Sequence, residues 1–303
     1  MGSDLPAGLP GVAGGRRRRR RIGRTLAPYG LIAPGGLWLL LFFLVPTVVL
    51  LSLSLQTGSV DTGYRLTWHV GEYATAWSLF HGQFFRSIQY AATATAITVV
   101  VSYPLAYWIA FRGGRYKTTF LFLLLLPFFV SFVIRTLAWQ FILSDDGIVL
   151  GTLKNLHLLP ADFHVLASTT AVVAGIAYNY LPFMALPLYV SLERIDRRVV
   201  EAAQDLYANR RDVFLRVILP MSIPGIFGGV LLTFVPAVGD YVNASILGGV
   251  NNTMIGNIIQ AQFLENFDYP LAAALSSILM AAMVLGIFAY ARALGTREIQ
   301  EYV

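Results

Sequence analysis

No cysteine occurs in this chain, so neither a disulfide framework nor a thiolate metal site is available to it. Charge is scarce as well. Only 13% of the residues are Asp, Glu, Lys or Arg, against roughly 25% in ordinary soluble domains, which points to lipid as the solvent. There is no GxxxxGK[ST] phosphate loop, so ATP is not bound by that route. No HExxH pair or Ser–His–Asp arrangement suggests a membrane hydrolase. The histidines, at 69, 81, 157 and 164, are scattered, so solvated or interfacial imidazoles are expected rather than a metal site, and no cofactor is expected.

What is abundant is apolar sequence. "LIAPGGLWLLLFFLVPTVVLLSLSL" and "TTFLFLLLLPFFVSFVI" are almost free of charge over lengths near the ~20 residues that a spanning helix needs. Six spans are expected, at about 30–54, 85–111, 118–143, 167–190, 222–244 and 271–294, which makes the fold class all-α integral membrane. Gly and Pro interrupt several of them, as membrane helices tolerate. The second, "YAATATAITVVVSYPLAY", is rich in small residues and suits close helix–helix contact.

The net charge of +6 does not point to nucleic acid, because the basic residues follow the spans. Arg16 to Arg21, Arg24, Arg112, Arg115, Lys117, Arg194, Arg197, Arg198, Arg210, Arg211, Arg216, Arg292 and Arg297 make 18 of the 22 Lys and Arg, all on one side of a six-span chain. By the positive-inside rule both termini are expected in the cytoplasm. The run "GGRRRRRRIGR" precedes an apolar stretch too long for a cleavable signal, so residues 1–28 are expected to be a disordered cytoplasmic tail. Residues 29–295 form the membrane domain and 296–303 a short second tail.

One connection is too elaborate for a linker. Residues 191–221 include "RIDRRVVEAAQDLYANRRDVFLRVILP", in which 196–208 lack Pro and Gly and favour a helix. Arg197 and Glu201 are spaced to pair on one face. A second short helix carries Phe214, Val217 and Ile218 as an apolar stripe, closed by Pro220 and Pro224. From the residues alone, this helical elbow either lies on the lipid headgroups or inserts its apolar side into the groove of a cytoplasmic partner.

"EAAQDLYANRRDVFLRVILPMSIPGI" resembles the EAA signature of permease subunits of binding-protein-dependent ABC importers, with Glu201, Ala202, Ala203, Asp205, Leu206, Leu219, Pro220, Pro224 and Gly225 at matching positions. The resemblance spans residues 30 to 295. The stretches "IRTLAWQFILSDDGIV", "YLPFMALPLYVSLERID" and "GDYVNASILGGVNNTMIGNIIQAQF" look most like the polyamine (spermidine/putrescine) type. It implies a type I importer architecture in a bacterial inner membrane and alternating access. The implied partners are cytoplasmic ATPase subunits gripped by the elbow, a second permease subunit and an extracytoplasmic solute-binding protein. The elbow residues carried over to ATPase coupling are Glu201, Ala202, Ala203, Asp205, Leu206, Tyr207, Leu219 and Pro220. Tyr207 departs from the family, which usually has Gly there; Asn209 is then expected to take the left-handed position of the turn. Related subfamilies for ferric iron, phosphonates and opine-like compounds share parts of these stretches, and a secondary transporter is the alternative from another class.

Two ionisable residues fall inside spans. Arg135 lies about 17 residues into the third and Asp240 about 16 after Pro224, each roughly 25 Å along its helix at 1.5 Å per residue. That matched depth permits either a structural Arg135–Asp240 ion pair or a translocation path in which Asp240 offers a carboxylate to a cationic solute. Tyr241, Trp139 and Tyr178 are candidates for aromatic faces on an ammonium group.

Overall fold

The computed structural model describes residues 32–160 and 162–295; both tails lie outside the described residues. The described residues divide into two compact units, 32–52 and those from Leu53 on. The first unit contributes most of α1 (Ile32–Leu53), an apolar helix with a π-helical stretch at Leu40–Leu44.

The second unit starts with a feature absent from the sequence reading, an antiparallel hairpin of β1 (Gln56–Ser59) and β2 (Gly63–Leu66). Then comes α2 (Gly71–Arg112), 42 residues long against the 27 of the expected span. At 1.5 Å per residue it measures ~63 Å, twice the ~30 Å hydrocarbon core, so a third or more of it projects beyond lipid. The small residues of α2 are buried at helical spacing: Ser87, Ala91, Ala94, Thr95, Thr98, Ser102 and Ala106. They let α2 lie against α6 (Thr169–Glu193), the most extensive helix pairing in the molecule. Thr98 Oγ1 returns its proton to the Ala94 carbonyl at 2.6 Å, so the hydroxyl is satisfied within its own helix.

The expected third span is broken. Residues Gly114–Phe129, containing α3 (Lys117–Leu125), and α4 (Phe132–Leu143) meet at 89°. Pro127 supplies no N–H, and Val130 and Ser131 take extended ψ values of 139°. Counting this bent pair as one crossing gives six spans, with α1, α2, α6, α8 (Arg210–Val238) and α11 (Tyr269–Gly295) as the others. Shorter helices fill the connections: α5 (Leu150–Asn155), α7 (Arg197–Asp205), α9 (Tyr241–Leu247) and α10 (Ile255–Leu264). The fifth span thus stops at Val238 rather than running on to 244, and Gly239 and Asp240 turn the chain into α9.

Three apolar clusters organise the second unit. One centres on Val172, Ile176, Val238, Leu247 and Met254. Another joins Ala76, Phe84, Ile255, Leu271 and Leu275 towards the hairpin. A third, at the opposite end, joins Tyr103, Ala106, Met184, Leu188, Leu192 and Ile195 with Val213 and Ile218.

Candidate functional site

The elbow between α6 and α8 is built by caps. Asp196 starts α7, its carboxylate accepting from the Arg198 N–H at 3.0 Å. At the other end Tyr207 N–H reaches the Gln204 carbonyl at 2.9 Å and Ala208 N–H the Ala203 carbonyl at 3.3 Å. These two bonds define a Schellman turn, which needs one left-handed residue. That residue is Tyr207, at φ +61°. Asn209, expected there, sits instead at φ −72° and caps α8, its side-chain oxygen accepting from the Asp212 N–H at 2.9 Å. The reason is local: an Asn two residues after the turn is worth more as a cap for the next helix.

The expected Arg197–Glu201 pair is also replaced. Arg197 Nη2 donates to the Phe111 carbonyl at 3.4 Å, tying the elbow to the end of α2. Lys117 Nζ and Glu193 close the same end with an ion pair at 2.7 Å.

The apolar stripe of the elbow packs largely into its own bundle. Val213 and Ile218 are buried in the cluster formed by Tyr103, Met184, Leu188 and Leu192, and Val217 is half-buried. The Phe214 ring stands edge-on to Tyr103 at 5.6 Å and to Tyr107 at 6.1 Å. A π-helical turn over Phe214–Ile218 leads into Pro220, whose missing N–H leaves the Arg216 carbonyl without its usual donor. The elbow is thus fastened to its own bundle by one side. Of the residues carried over by resemblance, Ala203 and Leu219 are half-buried on that side, whereas Glu201, Ala202, Asp205, Leu206, Tyr207 and Pro220 are exposed.

Arg135 and Asp240 are both buried, at 8% and 6% exposure, but the ion pair that was one of the two readings does not form. Asp240 is the N-cap of α9: its Oδ1 accepts from the Asn243 N–H at 3.0 Å and its Oδ2 from Asn243 Nδ2 at 2.5 Å. The Tyr180 hydroxyl also faces this carboxylate. Asn243 Oδ1 in turn accepts from Asn179 Nδ2 at 3.1 Å and from Thr136 Oγ1 at 3.3 Å. One polar chain thus links α4, α6 and α9. Arg135 lies over the rings of Phe128, at 4.9 Å, and Phe132, at 5.8 Å, where the ring faces attract the guanidinium. Its Nε is buried without a hydrogen-bond partner. The depth estimate failed for Arg135 because it assumed a straight helix; the residue lies just past the 89° break.

Of the three candidate aromatics, Tyr241 makes no ring contact with the other two among the described residues. Trp139 and Tyr178 form an edge-on pair at 5.4 Å, while Tyr241 is half-exposed on α9, its carbonyl accepting from Asn257 at 2.9 Å. Sequence reading missed Thr136, Asn179, Tyr180 and Asn243. The available signal was uncharged polar residues inside apolar runs, each of which needs a partner when buried.

A groove of about 580 Å³ opens between α6 and α8, lined by Phe183, Pro187, Val190, Met221 and Leu232, with Arg194 at its elbow end. At its floor the two helices touch closely. A Cβ on Gly225 would lie 2.7 Å from the Pro187 carbonyl oxygen, and one on Gly229 would lie 3.1 Å from that of Met184.

Comparison with known proteins adds four findings. Residues 99–298 match the family described as binding-protein-dependent transport system inner membrane component. The chain is 35% identical over 257 residues to the spermidine/putrescine transport system permease protein PotB of Haemophilus influenzae, covering 84% of this chain and 90% of that one. Among solved structures, it is similar to a chain of a bacterial ABC transporter that imports the acidic polysaccharide alginate. That match has TM-score 0.67 and 17% identity, over 93% of this chain and 100% of that one. A chain of a bacterial alginate ABC transporter in complex with an alginate pentasaccharide-bound periplasmic protein gives TM-score 0.66 and 19% identity, over 94% and 98%.

Proposed function

The chain belongs to the family of binding-protein-dependent transport system inner membrane components and is a permease subunit of an ABC importer, and from that premise we propose that the solute it passes is a polyamine of the spermidine/putrescine class. The observation that carries this is the 35% identity to a spermidine/putrescine permease over 90% of the relative's length. The likeness to an importer of an acidic polysaccharide, at 17% identity, bears on the fold alone.

In this reading ATPase subunits dock on the exposed outer side of the elbow, at Glu201, Ala202, Asp205, Leu206, Tyr207 and Pro220. Ala203 and Leu219 transmit the load into the bundle. The cluster of Val213 and Ile218 with Met184, Leu188 and Leu192 supports this, because a push on the elbow moves α6 and α8 with it. Close-packed interiors pass such displacements on as rigid-body shifts. The elbow and both termini are cytoplasmic, supported by the 18 of 22 basic residues on that side. Residues 1–28 and 296–303 are tails flanking one permease domain, 29–295. A second permease subunit covers the apolar groove between α6 and α8, which otherwise opens within the membrane. A solute-loaded binding protein docks at the hairpin end, and the remaining apolar faces meet lipid.

Of the two roles open to Asp240, we take the structural one. Its carboxylate is occupied on both oxygens by Asn243 and is buried, so it anchors α9 rather than meeting the solute. The solute assignment is tested by reconstituting the chain with its permease partner, ATPase and binding protein in proteoliposomes. ATP-dependent uptake of labelled spermidine or putrescine is expected. Uptake of ferric iron or a phosphonate, with none of either polyamine, would refute it.

A further inference from the structure

At the tip of the elbow two large side chains stand in solvent. Leu206 is 82% exposed and Tyr207 100% exposed, so the Tyr207 ring touches nothing in its own chain. Tyr207 also occupies the left-handed backbone region, φ +61°, where a side chain is disfavoured and glycine is the usual choice. Trp68, His157, Ala167 and Phe267 share that region; Ala167 and Phe267 are pinned from a distance, Ala167 N–H donating to the Leu247 carbonyl at 2.9 Å and the Tyr64 hydroxyl to the Phe267 carbonyl at 2.5 Å, whereas His157, like Tyr207, is held by a local turn in which its N–H reaches the Lys154 carbonyl at 2.9 Å. Tyr207 has only its own turn to hold it. A side chain that is disfavoured at its backbone position and touches nothing adds no packing to the stability of this chain.

The surroundings of the pair are polarised. Before it, on α7, Glu201 and Asp205 are exposed; after it, at the start of α8, Arg210 and Arg211 are exposed. The base beneath is rigid, since the same turn packs Ala203 and Ala208 against the cluster of Val213, Ile218 and Leu192. A stiff, apolar, two-residue knob between an acidic and a basic flank matches the core-and-rim pattern of an interface anchor.

We propose that Leu206 and Tyr207 are the anchor by which this permease selects its ATPase. They fill an apolar socket whose rim carries a basic side chain facing Glu201 and Asp205 and an acidic one facing Arg210 and Arg211. This rests on the reading that the elbow docks on the ATPase. It adds that the socket is shaped for an aromatic ring, so an ATPase whose socket fits a glycine turn does not substitute. The Schellman turn presents the ring at a fixed angle, and the strain at Tyr207 is offset only in the complex.

The test uses the full chain assembled with its permease partner and ATPase in lipid nanodiscs, reading ATPase affinity and thermal midpoint for each variant. Tyr207→Gly and Tyr207→Asn both keep the left-handed turn and remove the ring. Both are expected to leave the thermal midpoint of the permease unchanged or higher while weakening ATPase binding about tenfold or more. Tyr207→Phe restores most of the affinity. Wild-type affinity in Tyr207→Gly and Tyr207→Asn, with binding lost in Glu201→Lys, overturns the anchor and leaves elbow docking standing. Wild-type affinity in all of these variants overturns both.

Discussion

Asn243 holds both oxygens of the Asp240 carboxylate, one from its backbone N–H at 3.0 Å and the other from its side-chain amide at 2.5 Å. The pair fixes the start of α9, and Asn243 passes the constraint to Asn179 and Thr136. A buried carboxylate in a membrane protein is a default candidate for transport chemistry. Here its acceptor capacity is spent on the turn between α8 and α9.

Asp240→Ala removes a helix cap, worth about 1 kcal/mol, and strands the buried Asn243 amide, worth a further ~1–3 kcal/mol. Asp240→Asn keeps the cap but turns an amide towards an amide, so a smaller loss of about 1 kcal/mol is expected. Both should lower the thermal midpoint of the purified permease, and uptake should fall in step with the folded fraction. An Asp240→Asn protein with the wild-type midpoint and no uptake would instead place the carboxylate on the solute's path.

Gly225 makes the α6–α8 crossing. A Cβ there would meet Ser191 Cβ at 2.5 Å and the Pro187 carbonyl oxygen at 2.7 Å, and backbone does not yield as a flexible side chain would. Gly225→Ala should therefore cost ~1–3 kcal/mol through forced separation of the helices. Gly228→Ala is the control, since its nearest neighbour would be Pro187 Cβ at 3.8 Å, an ordinary contact. Equal thermal midpoints for the two variants would refute the close crossing.

How much of this was legible beforehand differs by element. The buried stripe of α2 was plain in "YAATATAITVVVSYPLAY", because a small residue every third or fourth position signals close helix contact directly. The elbow's helices and its stripe at Phe214, Val217 and Ile218 were equally readable as local chemistry, whereas its caps were not: Asn209 was expected in the left-handed position and caps α8 instead. Where the stripe goes was not readable either, since a periodic pattern does not say whether its own bundle or a partner covers it. Pro127 looked like one more tolerated interruption; only the extended Val130 and Ser131 turn it into an 89° break. The polar chain from Thr136 through Asn179 to Asn243 joins residues 43 and 64 positions apart. Charge drew attention to Arg135 and Asp240, whereas the bonds that organise the site run through uncharged amides.

At the hairpin end, Asp145 accepts from Lys154 at 2.8 Å and from His164 at 2.6 Å. These bonds, that of Lys154 first and then that of His164, hold its carboxyl below the ordinary carboxylate range. A depressed folded-state value means that the link contributes above the unfolded carboxylate value and is lost as pH falls through the folded one. Hydrogen exchange in α5 should therefore stay slow at neutral and mildly acidic pH and quicken only below the usual carboxylate range. In Asp145→Asn the acid limb should vanish. Acid quickening that persists in Asp145→Asn would assign it to another group.

Orientation can be read directly, because the chain has no cysteine to remove first. Gln204 is exposed on the elbow and Asp146 is exposed in the connection after α4. If the elbow is cytoplasmic, a membrane-impermeant maleimide should label Asp146→Cys in intact spheroplasts, and Gln204→Cys only after permeabilisation. Because a six-span count assigns 18 of the 22 basic residues to the elbow side, the positive-inside rule makes this sidedness the expected one for insertion. The reverse pattern would put the Leu206–Tyr207 knob outside the cell, out of reach of any ATPase, and would remove the basis for coupling through the elbow.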